Sequence, residues 1–173
     1  MCGIVGYMGY RDSCPIVIKG LKRLEYRGYD SAGIMLFNNK ATVIKTKGKV
    51  SDLELILSPQ SKHIANLAIG HTRWATHGIP SDLNSHPHTS NSGNLSIVHN
   101  GIIENYDSIK KVLISNGFHF KSETDTEVLI NLIEYIKESQ NLKIGRAVQI
   151  ALTQVIGAYA IAVVDLERPN EII

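Results

Sequence analysis

Cysteine is scarce in this 173-residue chain: Cys2 and Cys14 are the whole complement. Two thiols are too few to staple a secreted domain, and a bond between them is not expected in a chain of cytosolic character. A charge bias is missing as well. Eighteen Lys and Arg against sixteen Asp and Glu leave +2, and the most basic windows, Lys19–Arg27 and Lys40–Lys49, hold four cations each. A nucleic-acid binder needs a basic stripe that is not here. No apolar run opens the chain, because eight charges from Arg11 to Asp30 interrupt it, which argues against a signal peptide. The longest uncharged stretch, 147–164, contains Gln149, Thr153, Gln154 and Gly157. It reads as a helix, a glycine stop and a buried strand, not as a membrane span. No repeat period is present. The rest is ordinary globular composition, 43% apolar and 20% charged, at a length that suits one soluble, cytoplasmic domain.

The periodicity predicts the elements in turn. Ile4–Met8 is a strand that starts almost at once. Asp12 or Ser13 caps a helix whose Ile16, Val17, Leu21 and Leu24 share a face. Ala32–Phe37 and Ala41–Ile44 flank Asn38-Asn39-Lys40 as a hairpin. Ser51-x-x-Glu54 reads as a capping box opening a short helix through Leu57, and Asn66–Thr72 as a strand. Residues 76–94, rich in Ser, Asn, His and Pro, form a long polar loop of the kind that tends to be functional. Leu95–Val98 is a strand ending in His99-Asn100-Gly101. Helices follow over Asn105–Asn116, with Gly117 past its end, over the stretch opened by the Thr124-x-x-Glu127 capping box, and over Leu142–Ile156. Ala158–Val164 is the last strand. Strands in hairpins and helices in groups predict an α+β domain of antiparallel sheets with helices outside.

Cys2 is the first residue to explain. With Met1 removed it carries a thiol and an α-amine together, a nucleophile with its own general base, as in N-terminal threonine catalysis. The alternative is a small hydrophobe opening a buried strand. Asn100 and Gly101 offer a side-chain amide and an unhindered N–H for an oxyanion, or else an ordinary Asn-Gly turn. Arg73, at a strand end beside Trp74, suits bidentate capture of a small carboxylate. Asp125 can accept an ammonium group, or simply favour a helix N-terminus. His71, His77, His86 and His88 invite a metal reading, but only Asp82 stands near them as a further ligand, so no metal is expected.

In chain order, Met1-Cys2-Gly3-Ile4-Val5-Gly6, Leu24-Glu25-Tyr26-Arg27-Gly28-Tyr29-Asp30-Ser31-Ala32-Gly33-Ile34, Gly70-His71-Thr72-Arg73-Trp74-Ala75-Thr76-His77-Gly78, Ser85-His86-Pro87-His88, His99-Asn100-Gly101-Ile102-Ile103-Glu104-Asn105-Tyr106 and Ser122-Glu123-Thr124-Asp125-Thr126-Glu127 resemble the class II, N-terminal-nucleophile glutamine amidotransferases. The resemblance covers nearly the whole chain. Tyr26-Arg27-Gly28-Tyr29-Asp30 and Arg73–Gly78 are similar to the branch of glutamine–fructose-6-phosphate aminotransferases (isomerising), the glucosamine-6-phosphate synthases.

The resemblance implies a four-layer αββα sandwich and a glutaminase that needs no cofactor. Cys2 would attack the side-chain amide of L-glutamine, with Asn100 and Gly101 as oxyanion hole. Arg73 and Asp125 would hold the substrate's α-carboxylate and α-ammonium. Trp74, Thr76 and His77 would shape the pocket and its closing loop, and Arg27 would help to organise the site. The resemblance also implies a sugar-isomerase half that receives the ammonia, and a homo-oligomer. That half is not in these residues, and the glutaminase domain is itself expected to be incomplete at its C-terminal end. A catalytically silent glutamine-binding remnant, or the glutaminase unit of another amidotransferase, stands as the alternative.

Overall fold

The computed structural model describes residues 2–57, 64–75 and 78–173. Strands β1 (Gly3–Met8), β2 (Ser31–Asn38), β3 (Lys40–Lys47) and β4 (Leu67–Arg73) make one antiparallel sheet in the order β1-β4-β2-β3. Strands β5 (His88–Thr89), β6 (Leu95–Ile103) and β7 (Gly157–Asp165) make a second, in the order β5-β6-β7. Helices α1 (Ser13–Leu24) and α2 (Val50–Ile56) cover the first sheet; α3 (Tyr106–Ser115), α4 (Asp125–Ser139) and α5 (Ile144–Leu152) cover the second.

Side-chain alternation along the strands builds the layers. On β2, Ala32, Ile34 and Leu36 pack under α1 and α2, while Met35 points the other way. On β6, Leu95, Ile97 and Ile103 meet the three-helix layer, and Val98 faces the first sheet. Met35, Leu67, Ile69, Val98, Ala162 and Val164 thus fill the space between the sheets. The outcome is the expected αββα sandwich. Because both faces of the inner strands are covered, β4 is buried throughout and β2 from Ser31 to Leu36. Among the described residues, no helix is long and apolar enough to cross a membrane.

Local signals account for most boundaries. Asp12 caps α1, its Oδ1 accepting from Cys14 N at 3.2 Å. Asn39, alone at the tip of the β2–β3 hairpin, adopts φ 60°. Gly117 follows α3 at φ 87°, and Phe118 N returns to Leu113 O. Other boundaries moved. The capping box of α2 begins at Lys49, whose N–H donates to Asp52 Oδ2 at 2.8 Å. Ser51 lies inside the helix, and Glu54 pairs with Lys22 instead. Helix α5 is shorter than its apolar pattern, because Gln154 to Ile156 turn towards β7. At α4, Thr124 caps as expected, but Glu127 reaches past it to the N–H groups of Lys121 and Ser122.

The polar loop 76–94 is not simply solvated. It contributes the two-residue strand β5 and buries Ser85, His86, His88 and Ser90. Strand β6 does not end at Val98: pairing with β7 runs from Leu95↔Asp165 to Ile103↔Gly157 without a slip. Asn100 and Gly101 therefore stand inside a ladder, neither in a hairpin turn nor past a strand end.

Candidate active site

Cys2, Arg27, Arg73, Trp74, Asn100, Gly101 and Asp125 line one cavity of ≈ 580 Å³, with Ile102, Ala158 and Tyr159 from the second sheet. Thr76 and His77 lie outside the described residues. The cavity takes its walls from both sheets. Cys2 leads into β1 in the first sheet, and Asn100 sits on β6 in the second.

The sulfur is held by main chain. Trp74 N donates to Cys2 Sγ at 3.1 Å, and Trp74 O lies 3.5 Å from the same atom. Trp74 follows the end of β4 and is 54% exposed. Its indole rests on Gly28, where a Cβ would come within 2.7 Å of the ring and where φ is 98°. Glycine is therefore required twice over, by the close approach and by the backbone.

Asn100 Nδ2 donates to Cys2 O at 3.3 Å, and its Oδ1 lies 2.7 Å from His71 Nε2. Strand phase supplies the second donor. Leu95 N–H donates to Ser90 Oγ, and Ile103 N–H donates to Asp125 Oδ2 at 2.8 Å. Both odd-numbered amides thus turn away from β7. Gly101 shares their phase, and among the described residues β5 pairs only with Ser96 and Ile97. Alternation, not a strand end, leaves the Gly101 N–H on an open edge at the cavity.

Arg73 is 3% exposed. Its Nη2 donates to Gly78 O at 2.9 Å, and Nη1 lies 3.8 Å from Asp30 Oδ1. Burial pulls the guanidinium pKa down, while Asp30, Cys2 and Asp125 oppose that shift. Asp30 also accepts from Ala75 N and from Ser31 Oγ. Asp125, 3% exposed in the first turn of α4, has its Oδ1 3.9 Å from His99 Nδ1.

His86 and His99 also line the cavity, and the rings of His71 and His88 lie nearby. His71 and His86 are 4.2 Å apart, and His86 and His88 meet edge to face at 4.8 Å. Thr126 Oγ1 lies 2.9 Å from His86 Nε2 and 2.8 Å from His99 Nδ1, and Thr124 Oγ1 3.1 Å from His88 Nε2. Burial lowers the His71 pKa to about 4, and burial with neighbouring positive charge holds His86 and His88 well below the usual range. His71, His86 and His88 are therefore neutral near pH 7. Both cysteines are free.

Three supports of the site were not singled out from the sequence for the parts they take. Asp30 stood in a quoted motif without a role. His71 interrupts an apolar strand, and a buried polar side chain of that kind needs a partner. Nothing in the local pattern marks Thr126.

A family profile described as "Glutamine amidotransferase domain" matches residues 58–173. The chain is 58% identical over 175 residues to the glutamine–fructose-6-phosphate aminotransferase [isomerizing] of Bacteroides thetaiotaomicron, covering 100% of this chain and 28% of that protein. To the protein of the same name from Chlorobaculum tepidum it is 49% identical, covering 100% and 29%. The chain thus spans less than a third of these curated relatives. Among solved structures, glutamine phosphoribosylpyrophosphate amidotransferase from B. subtilis, complexed with ADP and GMP, superposes with a TM-score of 0.79. Its identity is 29%, over 96% of this chain and 35% of that one.

Proposed function

The chain belongs to the glutamine amidotransferase domain family, and from that premise we propose that it hydrolyses the side-chain amide of L-glutamine through Cys2. The observation that carries this reading is convergence: a thiol, an amide donor, an open backbone N–H, a buried guanidinium and a buried carboxylate share one cavity.

The chemistry follows from the arrangement. Arg73 receives the substrate α-carboxylate and Asp125 its α-ammonium, which delivers the side-chain amide towards Cys2. After removal of Met1, the Cys2 α-amine takes the thiol proton as sulfur adds to the amide carbon. The oxygen becomes an oxyanion, stabilised by Asn100 Nδ2–H and the Gly101 N–H. Collapse breaks the C–N bond, and the α-ammonium returns its proton to the departing ammonia. Water then adds to the γ-glutamyl thioester, its proton passing by way of the α-amine to the sulfur, and glutamate leaves with the thiol restored. Trp74 and Arg27, at the cavity wall, shape and organise the pocket.

In the full-length protein, we assign the ammonia to a sugar-isomerase half that aminates fructose 6-phosphate to glucosamine 6-phosphate, in the cytoplasm. Relatives at 58% and 49% identity carrying the aminotransferase name support this assignment. Tyr26-Arg27-Gly28-Tyr29-Asp30 supports the same branch over the phosphoribosyl one.

Intact-mass spectrometry before and after exposure to an electrophilic glutamine analogue tests the reading. The expected result is a chain lacking Met1 that gains one adduct at Cys2, blocked by excess glutamine, with ammonia release lost in Cys2→Ala. A Met1-free chain that binds glutamine without adduct or ammonia would be a silent remnant, and the proposal would fall.

A further inference from the structure

His71 stands outside the groups assigned above to substrate, oxyanion or sulfur, yet its Nε2 lies 2.7 Å from the Oδ1 of one of them, Asn100. A carboxamide can sit in its pocket two ways, and only one serves an oxyanion. With Nδ2 towards Cys2 it is a donor; turned over, it presents an acceptor to a carbonyl and to any developing negative charge. The Nδ2 bond to Cys2 O, at 3.3 Å, lies beyond the usual range and holds the amide weakly. The bond to His71 lies within that range.

We propose that His71 is a positioning residue: its Nε2–H, donated to Asn100 Oδ1, fixes the Asn100 amide with the NH2 group facing Cys2. The inference rests on the reading of Asn100 as an oxyanion donor. An amide oxygen only accepts, so the ring nitrogen facing it carries the proton. The opposite tautomer would offer a lone pair at Nε2 and draw Nδ2 to itself, leaving Oδ1 towards Cys2. One proton's location therefore sets whether the hole attracts or repels negative charge.

The surroundings hold the ring in place. His71 is 1% exposed on β4, and His86 covers it at 4.2 Å with the planes 31° apart. His86 is in turn set by the Thr126 hydroxyl at 2.9 Å. The His71–Asn100 bond crosses from the first sheet to the second and ties the strand leading to Arg73 to the strand bearing the oxyanion donors. Burial keeps the ring neutral near pH 7, so no added charge is needed for the donation. Glutamine at position 71 can present an N–H near the same point, and leucine cannot.

The test is steady-state glutamine hydrolysis by the full chain with a free Cys2 amine, in His71→Leu, His71→Gln, Asn100→Ala and the His71→Leu/Asn100→Ala double variant. His71→Leu is expected to lower kcat about 10–100-fold, the usual effect of removing a group that orients a catalytic one, with the glutamine KM within about twofold. His71→Gln should recover most of the loss. In the Asn100→Ala background, His71→Leu should cost nothing further, because the amide it orients is gone. Equal losses in both backgrounds, a glutamine variant as poor as the leucine one, or a change confined to KM would each overturn the proposal. A misfolded variant would lose activity in both backgrounds and so counts against it. If Asn100→Ala alone leaves kcat intact, the oxyanion reading has failed; if only Asn100→Ala lowers kcat, His71 alone is misassigned.

Discussion

Asp30 grips Arg73 at both main chain and side chain. Asp30 N donates to Arg73 O at 2.7 Å, and Asp30 Oδ1 lies 3.8 Å from Arg73 Nη1. The same carboxylate accepts from Ala75 N and Ser31 Oγ, so the segment after β4 is shaped by the acid that balances its arginine. A buried guanidinium needs such a partner, since taking its charge out of water is costly.

Asp30→Asn keeps an oxygen for the Ala75 N–H but removes the charge. Glutamine KM is expected to rise about tenfold, the equivalent of ~1.4 kcal/mol, while kcat changes little. Asp30→Ala removes the acceptors too and should destabilise the fold by about 3 kcal/mol in urea unfolding. An Asp30→Asn variant with unchanged KM would show that Arg73 does not depend on this acid.

Asp125 ties α4 to β6, through Ile103 N, and faces the cavity. The two roles separate by substitution. Asp125→Asn retains an oxygen for Ile103 and should stay within about 1 kcal/mol of the parent stability. It loses the charge for the substrate ammonium, so KM should rise about 10–100-fold at 1.4 kcal/mol per decade. Asp125→Ala should lose both. Steady-state kinetics beside denaturant melts of the two variants decide it; parallel loss of stability and affinity in Asp125→Asn would contradict the separation.

Stability should fall in mild acid. His71 is held near pKa 4 when folded and returns to about 6.5 when unfolded. Between those values the unfolded chain binds the extra proton, so folding weakens as pH drops from about 6.5 towards 4. His71 alone accounts for roughly 3 kcal/mol of that loss at 1.36 kcal/mol per unit. His86 and His88 shift in the same direction and steepen it. Urea midpoints from pH 8 to 4.5 should be flat above about pH 7 and fall below it. His88→Gln, which removes one of the titrating rings, should reduce the slope.

Much of this was legible in the residues. Asp12, Asn39 and Gly117 mark their boundaries by local chemistry that tertiary packing did not override. The candidate site residues were named through resemblance more than through physics, because Cys2, Asn100-Gly101 and Asp125 each carried a structural explanation as well. Asn-Gly at 100–101 shows the limit: it carries a hairpin signal, yet seven further ladder positions of β6 hold it in a strand. The apolar runs could not reveal that the open edge beside Gly101 arises from β5 being two residues long. The buried polar supports failed for a related reason. Asp30 and Thr126 act on residues distant in sequence, at 73, 86 and 99, and no spacing rule reaches that far.

The site straddles the seam of the sandwich, with sulfur on the first sheet and amide on the second, and one hydrocarbon layer behind them sets their separation. That layer is a gauge block for the chemistry. Widening it at Ala162 would move Asn100 off Cys2 without touching either residue, and compressing it by hydrostatic pressure would bring them closer. Core packing and catalytic distance are here one mechanical quantity.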